Sequence, residues 1–129
     1  MTSGFSEQWA KDYMAKHGKV IKKPKLLEPM DRYRNKWERN YAQNLDLLKY
    51  IKEITDYRYE ALSFWLAPNT YLRPDFLVTT PEGHMEIHEV KGHKRDKWWA
   101  RFKIAREMYP YFQWRVFRLV RGHWTEVLI

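Results

Sequence analysis

Asp75, Glu89 and Lys91 are the residues of this sequence whose types and spacing suit them to chemistry. Two strand-forming runs, 71–80 and 84–91, flank Pro81-Glu82-Gly83, where Pro favours the start of a type I turn and Gly accepts the left-handed position that closes it. A three-residue loop there sets the register: Thr80 faces His84, Leu77 faces Ile87, and Asp75 faces Glu89. Directly opposed residues share a face of a sheet, as do residues two apart along a strand. Asp75, Glu89 and Lys91 therefore converge at one end of the hairpin, and Leu77, Ile87 and Met85 continue that face as apolar core.

Two carboxylates facing each other repel unless a positive charge lies between them. A cation resolves the conflict, and hard oxygen ligands without Cys or paired His suit Mg²⁺ or Mn²⁺, ions that keep several waters. One such water can attack phosphorus, with Lys91 holding it and offsetting the charge that develops on a phosphate. His88 lies between these residues in sequence but points to the opposite face, which makes it a structural histidine rather than a ligand.

Positioning this hairpin requires helices on either side. Asp31 is placed to cap a helix running to Ile54, with Tyr33, Trp37, Tyr41, Leu48 and Ile51 on one stripe. A second helix over 94–109, stopped by Pro110, buries Trp98, Phe102, Ala105 and Tyr109 and carries Arg95, Trp99, Lys103 and Arg106 along one flank. That flank is a candidate DNA-binding face: its cations can neutralise phosphates, and Trp99 can stack on a base.

Strands are expected over 57–66, 71–80, 84–91, 112–120 and 124–129, with Ala67-Pro68-Asn69-Thr70 and Arg121-Gly122-His123 as turns. Tyr57, Tyr59, Phe64 and Trp65 are expected in the core. The order α, β, β, β, α, β, β implies an α/β (α+β) fold, a mixed central sheet flanked by helices. Residues 1–30 read as a short helix over 6–17 followed by a basic arm through Lys19, Lys22, Lys23 and Lys25, and 31–129 as one domain.

The balance of 24 Lys and Arg against 16 Asp and Glu gives a net charge of +8, which favours polyanionic partners, nucleic acid above all. With no Cys, disulfides and thiolate zinc sites are excluded. No apolar run approaches the ~20 residues of a membrane span, and residues 1–19 lack the apolar centre of a signal peptide, so a cytoplasmic protein is expected.

Pro74-Asp75-Phe76, then 12 residues, then Glu89-Val90-Lys91-Gly92, resembles the signature of the PD-(D/E)xK nucleases. The element order from Arg32 to Leu119 resembles the αβββαβ restriction-endonuclease-like core, and small phage-type enzymes such as endonuclease I-like Holliday junction resolvases look most similar. The resemblance implies a DNA endonuclease. Asp75 and Glu89 would bind Mg²⁺ through carboxylates and Val90 through its carbonyl, Lys91 would assist the water, and Lys103 would be a downstream lysine reaching the phosphate. It also implies an upstream acid, for which Glu38, beside Tyr41 and Leu45 on the helical wheel, is chosen over Glu60. Branched DNA as substrate, a homodimer cutting symmetrically and a phage-infected or bacterial host are further implications. The alternatives are a nicking endonuclease without junction preference, an RNA substrate, and a DNA-binding or assembly protein that has lost catalysis.

Overall fold

A computed structural model describes residues 32–92 and 96–129. The expected 6–17 helix, the basic arm, Asp31, Lys94 and Arg95 lie outside the described residues.

Helix α1 spans Lys36–Tyr50, and its cap is Asn35, not Asp31. Asn35 has extended backbone (φ −152°, ψ 169°) and its side chain accepts the Glu38 N–H at 2.9 Å. Glu38 occupies the third helical position, where an acid favours the positive end of the helix. The helix ends short of Ile54 because Lys52 turns left-handed (φ 65°): Lys52 N–H bonds Lys49 O at 3.1 Å and Glu53 N–H bonds Leu48 O at 2.8 Å, the paired bonds of a Schellman cap. Its buried arc is Glu38, Tyr41, Ala42 and Leu45. Trp37 and Ile51, expected inside, are 40% and 53% exposed, because they lie off the arc that α1 turns to the sheet.

The strands are β1 (Asp56–Tyr59), β2 (Phe64–Ala67), β3 (Thr70–Leu72), β4 (Phe76–Thr79) and β5 (Met85–Val90), then, after helix α2 (Asp96–Met108), β6 (Gln113–Val120) and β7 (His123–Val127). The expected 57–66 strand is thus two strands, broken where Glu60 takes φ 48°. The expected 71–80 strand also divides, at Arg73-Pro74-Asp75, since proline cannot donate to a ladder. β2 and β3 pair only with each other, and the main sheet runs β1-β4-β5-β6-β7. Among the described strands only β5 and β6 pair in parallel. The fold is α+β with a mixed five-stranded sheet; without the β2–β3 hairpin, its order is the expected α, β, β, β, α, β, β.

The central hairpin has the expected register. Leu77 pairs with Ile87, Thr80 N–H bonds His84 O at 2.8 Å, and Gly83 takes φ 87°. One face of the sheet packs Phe76, Val78 and Val90 against Tyr41, Ala42 and Leu45 of α1. The other packs Ile87, Trp114 and Val116 against Phe102 and Ala105 of α2, with Phe64, Leu66 and Leu72 of the hairpin β2–β3. Met85 does not extend this core: it is 46% exposed, because β6 begins opposite Glu86, one residue further along. Trp65 is also outside the core, on the outward side of its hairpin.

His88 faces α1, as expected, and is buried. Tyr41 Oη lies 2.6 Å from His88 Nδ1, and His88 Nε2 lies 2.8 Å from Glu86. Arg115 donates to Glu86 at 3.0 Å and forks onto Glu126 at 2.8 and 3.0 Å. Burial holds the imidazole below its ordinary pKa, so a neutral ring donates from Nε2 to Glu86 and accepts at Nδ1 from Tyr41. The bond from His88, then that from Arg115, holds Glu86 below the usual carboxylate range; Arg115 does the same for Glu126.

Carboxylates whose folded pKa is depressed contribute stability that is complete above their unfolded value, 4.5, and lost as pH falls through the folded one. Arg115→Met should therefore lower stability at pH 7 by about 2 kcal/mol, leaving Glu86 short of a donor. It should also flatten the loss of stability between about pH 5 and 3. Thermal melts across that range measure both; an acid limb as steep as wild type would rule out Arg115 as its source.

Candidate active site

Where β4 begins and β5 ends, the ladder gives way to a pair of side-chain bonds. Asp75 N–H donates to Glu89 Oε1 at 2.6 Å, and Val90 N–H donates to Asp75 Oδ2 at 2.8 Å. Each acid is thus held by main chain of the opposing strand, which is how the register brings the two carboxylates together. On the far edge, Glu60 N–H bonds the Asp75 carbonyl at 2.8 Å, fixing the backbone from β1 as well. Asp75 and Glu89 are 3% and 1% exposed.

Glu38 joins them. It is 4% exposed and lines the same cavity, of about 560 Å³, as Asp75 and Glu89. Its Oε2 accepts from Tyr59 Oη at 2.8 Å and from Arg34 N–H at 3.1 Å. Burial pushes the Tyr59 phenol up, keeping it a donor. Glu38 is therefore both a cavity acid and part of the helix cap. Glu60, the competing acid, lies between Arg34 and Arg73 in ion pairs, with Arg34 Nε donating at 2.7 Å, and is absent from the cavity lining.

The exposed side of the cavity is basic: Arg34, Arg73, Lys97 and Arg101 line it, with Tyr71 and Trp98. These four cations were not singled out in the sequence. Lys97 and Arg101 are one helical turn apart on α2, the usual sign of a shared face, on the other side of Trp98 from the flank expected to bind DNA. Of that expected flank, Arg95 lies outside the described residues, and Trp99, Lys103 and Arg106 do not line the cavity. Lys103 sits two residues past Arg101, about 200° around the helix. Trp99 is half-buried against the α2 core, with the Lys91 amine 4.8 Å from its ring centroid. Lys91 thus leaves β5 beside the acids, its N–H bonded to Phe117 O at 2.8 Å, but its amine rests on Trp99.

Neither family models, curated proteins nor solved structures match this chain.

A metal can be tested against the donor set alone. Among the described residues no three His, Cys, Asp or Glu side chains are gathered closely enough to hold one ion. Mg²⁺ needs fewer: one or two carboxylates, with water and substrate phosphate completing the shell. Asp75 and Glu89 are two hard oxygen donors, both buried. Their chemistry suits Mg²⁺ or Mn²⁺ and offers nothing a soft metal prefers.

Among the described residues no helix is long and apolar enough to cross a membrane.

Proposed function

We propose that this chain is a Mg²⁺-dependent endodeoxyribonuclease of the PD-(D/E)xK type. The observation that carries the reading is the contact of buried Asp75 and Glu89 across the hairpin, inside a cavity whose exposed lining is basic. The main sheet order, an antiparallel β1-β4-β5 run followed through α2 by parallel β6, agrees with a restriction-endonuclease-like core.

A bound Mg²⁺ supplies Lewis-acid polarisation of a phosphoryl oxygen and makes water a stronger acid. Asp75, Glu89 and the Val90 carbonyl would hold it, with Glu38 a third buried acid of the cavity. Arg34, Arg73, Lys97 and Arg101 bind the phosphates flanking the scissile bond and turn the strand towards the acids. Lys91 is the general cation for the attacking water and the developing charge. Its contact with Trp99 contributes only about 0.5–1 kcal/mol at a partly exposed site, so the amine leaves the ring for a phosphate. The substrate in this reading is branched or otherwise distorted DNA, cut by a homodimer in the cytoplasm of a phage-infected or bacterial cell.

The position of Lys91 on Trp99 favours a second reading, a nucleic-acid-binding or assembly protein without catalysis. Supercoiled plasmid incubated with purified protein separates the two. Nicks are expected with Mg²⁺ or Mn²⁺ and none with chelator, and Lys91→Met should slow nicking about 10²-fold. Intact plasmid, with linear, flapped and four-way DNA and RNA also uncut, would leave only the binding reading.

A further inference from the structure

The β2–β3 hairpin is the part of the fold that the acidic pair does not use. Its inward residues Phe64, Leu66 and Leu72 are buried in the α2 core. Phe64 pairs with Leu72 and Trp65 with Tyr71, so the second pair of residues stands on the opposite face, in register across the strands. They are 47% and 53% exposed.

The hairpin cannot readily roll to bury them. Phe64 is wedged against Tyr109, Trp114 and Phe112 with centroids 4.8, 5.0 and 5.5 Å away. Tyr109 Oη also bonds the Trp65 carbonyl at 2.7 Å. The rings are held outward by a rigid base.

Their position gives them a use. Tyr71 lines the acidic cavity, and Arg73, two residues on, belongs to its basic lining with Arg34, Lys97 and Arg101. An aromatic pair beside a row of cations is complementary to a strand whose bases are unpaired: phosphates meet the cations, and the freed faces of the bases meet the rings. In a continuous duplex those faces are covered by neighbouring bases.

We infer that Trp65 and Tyr71 form a stacking platform for unpaired nucleotides of DNA at the mouth of the cavity, which assigns single-stranded or locally unpaired DNA as the substrate class. The inference rests on the nuclease reading of the cavity.

Its test measures binding by fluorescence anisotropy in chelator, where no cutting occurs, with a labelled oligothymidylate and a blunt duplex of equal length. The wild-type protein should bind the single strand more tightly. Trp65→Ala and Tyr71→Ala should each weaken single-strand binding roughly tenfold and leave duplex binding nearly unchanged, with Trp65→Phe and Tyr71→Phe close to wild type. The dependence of affinity on salt should stay the same, because no phosphate contact is removed. Both side chains are exposed, so a thermal melt should show the variants folded. Equal loss on both probes, no loss on either, or no single-strand binding by the wild type overturns the inference. A protein that stacks single strands but never nicks plasmid would refute the nuclease reading and retain the platform; one that nicks but shows no aromatic dependence does the reverse.

Discussion

Asp75→Asn should lower Mg²⁺-dependent plasmid nicking by about 10³-fold, because Lewis-acid stabilisation of the transition state contributes several kcal/mol and each factor of ten corresponds to about 1.4. The substitution is chosen for what it retains. Asn keeps an oxygen to accept the Val90 N–H, which Asp75 Oδ2 now takes at 2.8 Å, so the end of the hairpin stays closed. A second readout is independent of cutting. Mg²⁺ should raise the wild-type melting temperature, by an amount that corresponds to about 2.7 kcal/mol at a hundredfold excess over Kd, and should leave the variant's unmoved. Equal nicking by wild type and variant, with equal response to Mg²⁺, would remove Asp75 from the site.

Phe76→Ala should destabilise the protein by about 3–5 kcal/mol, the range for a buried aromatic truncated in a close-packed core. Phe76 is 0% exposed, and its ring sits among Tyr59, Tyr41, Tyr57 and Tyr33 at centroid distances of 5.4, 5.5, 5.9 and 6.0 Å. Removing it opens a void below Tyr59, whose hydroxyl anchors Glu38, so the damage reaches the cavity through one contact. Denaturant titration should show the loss, and Phe76→Leu should recover most of it. A cost below about 1 kcal/mol for the alanine variant would mean that α1 is not packed there.

The acidic pair was legible in the sequence because its geometry is local: Pro81-Glu82-Gly83 determines the loop, the loop the register, and the register the meeting of Asp75 and Glu89. Glu38 was picked out by its helical angle once the nuclease resemblance implied an upstream acid. Its partner Asn35 was not, since Asp31 is as good a cap by residue type and only the packing of Tyr41 and Leu45 decides where the helix begins. The break at Glu60 has no signal, because a glutamate with positive φ looks like any other. That missed break hid the separate β2–β3 hairpin, and with it Trp65, Tyr71 and the reason Arg73 faces the acids. The core stripe of α2 was readable from Trp98, Phe102 and Ala105. Which flank borders the cavity follows from where β3 runs, so Lys97 and Arg101 were passed over for Lys103 and Arg106.

The bonds Asp75 N–H to Glu89 and Val90 N–H to Asp75 have a consequence for how this chain can diverge. Peptide groups orient the two acids, and every amino acid except proline brings the same N–H. Positions 77, 78 and 87 can therefore drift among apolar residues that keep the strands paired, with melting temperature rising and falling, while the carboxylates stay in place. Related chains are expected to agree at these acids and at the turn, and to differ between them within what the buried strand positions accept.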